Sequence, residues 1–242
     1  MKISKIFLIF TLLNLICPIE IALVFAQTIS NKLLGEFENG WDKYWMERKI
    51  SDKPTSYIVV QEDTNFVLMA KSDNSASGLW RMLSMHPAKR GKILWRWKVA
   101  KSLSKNTQEK NKIGDDYVAR LFVVFEPHFI NWKTRAICYV WAAKEPVGSN
   151  YKNPYSNSVG IIVVESGNKR TGKWITEKRD FIADYMKIFG KAPEMVSAVV
   201  IMVDTDNTGQ KAMAWFDDII LELEEPEIEL DEAIKGEIMY NL

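Results

Sequence analysis

The feature that most limits the fold is a series of short β-branched and aromatic runs, each closed by Gly, Asn, Asp, Pro or Ser. They span Ser56–Val60, Phe66–Ala70, Ile93–Val99, Tyr117–Phe125, Ile137–Ala142, Gly160–Val164, Ala198–Asp204 and Met213–Leu223. Runs of this length and chemistry predict strands. In the third of them Ile93, Trp95, Trp97 and Val99 alternate with Arg96 and Lys98. A period of two lays one face on a core and the other toward water, as in a half-buried antiparallel strand. Tyr117–Phe125 is apolar on both faces apart from Arg120, which predicts a central strand. Two sheets packed face to face satisfy all of these patterns, so the fold expected is a mainly β, antiparallel β-sandwich. One short helix is predicted over Arg179–Phe189, with Phe181, Tyr185 and Ile188 at helical spacing and Gly190 as its stop. The lysine- and serine-rich stretch Lys101–Lys112 reads as a long flexible loop.

The termini bound the sandwich. Lys2 and Lys5 precede an apolar run from Ile6 to Ile16, and Val24 and Ala26 sit before a cut ahead of Gln27, so residues 1–26 read as a signal peptide. Pro18 and Glu20 interrupt the apolar stretch and weigh against a retained membrane anchor. Cleavage removes two lysines and one glutamate, which takes the formal charge from +1 to zero. A neutral chain without a basic block excludes nucleic acid as an expected partner, and no membrane span remains after cleavage. The sandwich is assigned to residues 27–223 and an acidic, loosely held tail to 224–242. Export implies a periplasmic or secreted protein. Cys138 alone survives cleavage and lies in the strand-like Ala136–Trp141 run, where a buried inert thiol is expected.

Few strings carry chemistry. Asp115 and Asp116 precede the strand that contains Arg120. A guanidinium there keeps its charge and needs a carboxylate, with Asp180, Asp184 or Asp116 as candidates. Ser75-Ala76-Ser77-Gly78-Leu79 reads as a tight loop of small residues before a strand and lacks the glycines of a nucleophile elbow. His86 and His128 have no partner at metal-ligand spacing, which argues against zinc and against a Ser-His-Asp triad. The Asp204–Gly209 loop carries Asp204, Asp206 and Asn207 but not an EF-hand's bidentate glutamate, so a turn bonding its own backbone is favoured there over calcium.

Several strings fall in one order: Ser75–Leu79, Trp95–Lys98, Gly114–Arg120, Tyr139–Trp141, Asn153-Pro154-Tyr155, Arg179-Asp180 with Asp184-Tyr185, Phe189-Gly190, the Asp204–Gly209 loop and Trp215–Asp218. In this order the chain resembles a family of uncharacterised exported bacterial proteins, known only as a domain of unknown function, over roughly Gly35 to Leu223. The resemblance implies a secreted β-rich domain and brings no established activity. More loosely, Phe37–Trp41 and Trp215–Ile219 look like the first and last strands of jelly-roll carbohydrate-binding modules. That likeness implies a jelly-roll-like sandwich whose two end strands lie side by side and hold a structural calcium. The candidate ligands are Glu38, Asp217 and Asp218. Strict alternation puts Asp217 on one inward face with Trp215, Ile219, Leu221 and Leu223. A carboxylate so placed needs a cation or a hydrogen-bonding partner such as Arg120, and both readings stand.

Three classes of function follow. A binding module for a glycan or another envelope component comes first, with Asp116, Arg120, Trp141, Tyr155 and Arg179 as binding candidates. A structural or partner-binding envelope protein comes second. The third is a hydrolase or lyase acting on polysaccharide, with Asp115, Asp116 and Asp184 as its acid/base residues. The position of the tryptophans discriminates between them, because exposed indoles stack on sugars and buried ones are core.

Overall fold

A computed structural model describes residues 29–86, 90–125 and 134–224. The signal segment and its cut at Gln27, His128, and residues 225–242 of the tail lie outside the described residues. Among those described, no helix is long and apolar enough to cross a membrane. In chain order the elements are β1 (Ile29–Gly35), β2 (Met46–Lys49), β3 (Ser56–Glu62), β4 (Asn65–Asp73), β5 (Ala76–Met85), β6 (Gly91–Val99) and β7 (Ala119–Phe125). They continue with β8 (Arg135–Ala142), β9 (Asn150–Asn153), β10 (Ser156–Ser166), β11 (Ile175–Asp180), α1 (Phe181–Phe189), β12 (Val196–Asp204) and β13 (Lys211–Glu224).

The strands form two sheets. One runs β11-β6-β13-β4-β3, with β1 also paired to β13; the other runs β2-β5-β12-β7-β8-β10-β9. The pairs are antiparallel except β8 and β10, which run parallel. Every run read as a strand is one, and β7 is interior to its sheet as its two-faced apolarity predicts.

The core lies between the sheets. From β6 the alternate residues Ile93, Trp95, Trp97 and Val99 are fully buried, whereas Lys92, Leu94, Arg96 and Lys98 are half-buried on the outer face. Trp95 and Trp97 meet edge to face at 5.4 Å between ring centroids, Trp95 lies 5.2 Å from Tyr139, and Trp97 lies 6.0 Å from Trp141. Each ring removes a large apolar area from water, and the Trp95–Trp97 pair gains the edge-to-face attraction as well. Half the discriminating question is settled here: Trp45, Trp95, Trp97 and Trp141 are core.

Three local expectations need correction. Arg179 and Asp180 belong to β11, and α1 starts at Phe181, because Asp180 accepts the Ala183 N–H at 2.9 Å as the N-cap. Gly190 ends the helix in the left-handed conformation at φ +75°, donating its N–H to Met186 O. The Lys101–Lys112 stretch is irregular but tethered. Glu109, fully buried, accepts the backbone N–H groups of Ala143, Lys144 and Glu145 at 2.6, 3.2 and 3.1 Å. Residues 76–78 are the first residues of β5 rather than a loop, and their small side chains fit a close approach, since a Cβ on Gly78 would lie 3.1 Å from Val200.

The facing of β13 also differs from expectation. Ala212, Ala214 and Phe216 point into the core, and so do Ile219, Leu221 and Leu223. The phase changes between them through a bulge at Asp217 and Asp218, the latter at φ +48°. Trp215 and Asp217 therefore face outward, opposite to the expectation from strict alternation.

Candidate functional site

Two constellations bring polar and aromatic groups together. The first is at one end of the sandwich, where the approach to β7, the end of β12 and the β9–β10 turn converge. Arg120 is only 3% exposed. Its Nε donates to Asp204 Oδ1 at 2.8 Å and its Nη2 to Asp204 Oδ2 at 2.5 Å, a bidentate fork. Nη2 also donates to Asp115 O and lies 3.6 Å from Asp115 Oδ1, while the guanidinium sits 4.4 Å from the centre of the Tyr117 ring. Arg120 is thus buried and paired as expected, but with Asp204 and Asp115 in place of the three aspartates proposed from the sequence. Asp184 is instead held by Arg179, and Asp180 caps α1.

Asp116, fully buried, organises the adjoining loop. Its Oδ1 accepts from Asn207 N and Nδ2 at 3.3 and 3.1 Å, and its Oδ2 accepts from Thr208 N at 2.7 Å. Asp115 Oδ2 accepts from Asn153 Nδ2 at 2.6 Å, and the Tyr155 hydroxyl lies 2.6 Å from Asn207 Oδ1. Asp204 and Asp115 thus flank the guanidinium, and Asp116 and Asp206 lie close enough to these carboxyls to act on them. Burial raises the Asp115, Asp204 and Asp206 carboxyls above the ordinary range, Arg120 opposes the rise, and neighbouring aspartates add to it. One oxygen each from Asp116, Asp204 and Asp206 falls within 4.8 Å of the others, so these three could hold a metal ion. Hard carboxylate oxygens suit calcium or magnesium.

Of the residues singled out from sequence, Asp115, Asp116, Arg120 and Tyr155 come together here. Trp141 does not, being a fully buried core ring whose indole N–H donates to Gly167 O at 3.0 Å. Arg179 and Asp184 form a separate pair beside α1, so Asp184 is not brought to Asp115 and Asp116. Of the other candidate metal ligands, Glu38 is exposed, Asp217 accepts from Arg96 Nη2 at 2.5 Å and Asn65 Nδ2 at 2.7 Å, and Asp218 pairs with Arg96 Nε at 2.8 Å. Arg96, and not Arg120, thus occupies the place between the two aspartates, because β6 is the cross-strand neighbour of β13.

The second constellation covers the outer face of the six-stranded sheet. Trp215 and Lys98 are cross-strand partners on β13 and β6, as are Asp217 and Arg96. The Lys98 ammonium lies 4.5 Å from the Trp215 ring centre and 5.2 Å from that of Trp174, just ahead of β11. Arg96 lies 4.8 Å from the Trp174 ring. The β3–β4 hairpin contributes Glu62, which accepts the Trp174 indole N–H at 2.7 Å and pairs with Lys98. That bond to Lys98 is the main reason the Glu62 carboxyl lies below its ordinary range. The two indoles are half-buried, so each keeps surface for a ligand. Sequence alternation identifies Arg96 and Lys98 as outward. It misses Trp215, because the bulge reverses its side, and Trp174, because it precedes a strand that the pattern does not reveal.

Comparison with known proteins bears on the chain's descent. No curated protein matches it. Among solved structures, a family 11 carbohydrate-binding module of a cellulosomal cellulase of Clostridium thermocellum aligns over 84% of this chain and 99% of its own, at 13% identity and a TM-score of 0.45. The enzymatically active domain of bacteriophage CBA120 tailspike protein 4 aligns over 78% of this chain and 21% of its own, at 10% identity and a TM-score of 0.42. A family 29 module complexed with cellulohexaose aligns over 80% and 91%, at 7% identity and a TM-score of 0.39. The model of one family matches residues 39–220, most of the sandwich, and the chain belongs to that family, described as "Protein of unknown function (DUF3047)".

Proposed function

We propose that the protein is an exported glycan-binding protein and that the indole face of the six-stranded sheet is its binding surface. The observation that carries this reading is the placement of Trp174 and Trp215 on either side of Lys98, with both rings half-buried on one sheet face. A sugar ring presents an apolar C–H face to an indole and hydroxyls to its surroundings, so it needs an aromatic surface with donors and acceptors at the rim. Glu62, Arg96 and Asp218 supply that rim. Asp218 is the most open, its side chain 56% exposed. The charges on this face nearly cancel through the ion pairs, which favours a neutral glycan over a polyanion.

The aspartate cluster around Arg120 serves this reading as a structural calcium site, with Asp116, Asp204 and Asp206 as ligands. It would fix the loop at the sandwich end and take no part in sugar contact. The charged n-region and apolar run at the N-terminus support export to the periplasm or beyond, with a mature chain beginning at Gln27. Mass spectrometry of the exported protein tests the cut, and intact Met1 in a membrane fraction would contradict it. A glycan array probed with the mature protein, in calcium and in chelator, tests the binding. The reading expects retention on neutral polysaccharides, and no retention on any glycan would overturn it.

A further inference from the structure

The edge strand β11 breaks the rule that inward positions of a sandwich are apolar. Its inward residues are Ile175, then Glu177, then Arg179, and they face β10 across the gap between the sheets. A cleft of about 240 Å3 opens there, lined by Ile162, Val164, Glu177, Arg179, Asp184 and Ile188. Arg179 and Asp184 satisfy each other through two bonds, Nε to Oδ2 at 3.0 Å and Nη2 to Oδ1 at 2.6 Å, and the Tyr139 hydroxyl donates to Asp184 Oδ2 at 2.9 Å. That network forms a fixed wall.

Among the described residues Glu177 has no such partner. Its Oε1 is buried without a hydrogen bond, and so are the indole nitrogens of Trp95 and Trp97 on the neighbouring strand β6. Trp97 N–H lies near enough to favour the ionised carboxyl, although the two make no hydrogen bond. Burial outweighs it and pushes Glu177 up to about 7, with Glu165 of β10 adding to the rise and Arg170 and Arg179 opposing it. Native proteins rarely leave a buried polar atom unbonded, so such a group calls for water or a ligand.

We propose that this cleft is a second site, separate from the indole face, that takes one neutral sugar residue or a polyol of that size, with Glu177 accepting its hydroxyl groups. Ile162, Val164 and Ile188 offer an apolar wall for the C–H face of a ring. Glu177 and the spare N–H groups of the Arg179 fork offer an acceptor and donors for hydroxyls, and Lys178 and Lys187, which also line the cleft, add donors at its rim. The proposal takes its ligand class from the glycan reading, but its site and its test are independent of the indole face.

Saturation-transfer NMR with D-glucose, D-galactose, N-acetylglucosamine and glycerol tests it, on the wild type, Glu177→Leu and the double variant Trp174→Ala/Trp215→Ala. At least one probe should give transfer in the wild type and in the double variant, and none should in Glu177→Leu. Glu177→Leu should unfold at a higher temperature than the wild type, since an apolar side chain replaces an unbonded buried carboxyl, and this separates lost binding from lost fold. If the ionised carboxyl is the acceptor, affinity should fall about tenfold from pH 8 to pH 6. No transfer with any probe, or transfer that persists in Glu177→Leu, would overturn the cleft. Transfer lost only in the double variant would assign sugar binding to the indole face alone. Transfer in the cleft without polysaccharide binding would overturn the indole face and leave the cleft standing.

Discussion

The sandwich end and the outer face of the six-stranded sheet are built from the same ingredients, a cation on a strand, carboxylates around it and an aromatic ring beneath. They differ in access to water. Arg120 and Asp204 have side chains 4% and 3% exposed, whereas Lys98 and Glu62 are at 12% and 32%. A fully desolvated pair bonds within the protein and not to water, and its removal is felt by the fold. A half-hydrated pair flanked by open indoles keeps capacity for a ligand. Burial, and not residue type, separates the structural constellation from the binding one.

The largest effect is expected on the buried side. Arg120→Ala leaves Asp204 and Asp115 without their cation and should destabilise the protein by about 3–5 kcal/mol in denaturant unfolding. A loss within error would show that the aspartates carry protons or hold another cation. Calcium at a hundred times its dissociation constant should stabilise by about 2.7 kcal/mol, and Asp206→Asn should remove most of that response. Asp206 is the variant of choice because Asp204 also serves Arg120 and Asp116 holds the loop. An unfolding temperature indifferent to calcium and chelator, in metal-free protein, would make the cluster a hydrogen-bonded loop anchor only. On the open side, Lys98→Ala should cost only about 1 kcal/mol of stability. A loss as large as that from Arg120→Ala would erase the contrast.

The pH dependence sharpens the same contrast inside the molecule. Burial raises the folded-state value of Glu177 from 4.5 to about 7. The folded state therefore holds a proton that the unfolded state has released, and stability from this group is full below pH 4.5 and lost as pH rises to about 7. Subtracting the stability profile of Glu177→Leu from that of the wild type isolates this slope. A flat difference would place Glu177 in water.

How much of this was legible in the sequence varies with the range of the signal. The Ile93–Val99 alternation placed four core residues and two outward cations correctly, since each position there depends only on its neighbours. The burial of Arg120 was legible from the apolar run around it, but its partner was not. Asp204 lies 84 residues away, and only the pairing of β7 with β12 makes the two meet. Asp217 misled because a single extra residue at Asp218 reverses every side chain before it relative to those after it. Edge strands such as β9 and β11 carry mixed polar sequences, so Glu177 gave no periodic sign.

The most direct test of the central claim is isothermal calorimetry of a neutral polysaccharide retained on the array against wild type, Trp174→Ala and Trp215→Ala. Each truncation removes a stacking surface from a face whose ion pairs remain, so each should weaken affinity at least tenfold, about 1.4 kcal/mol, with little change in unfolding temperature. Unaltered affinity in both variants would contradict the account and move the binding surface elsewhere.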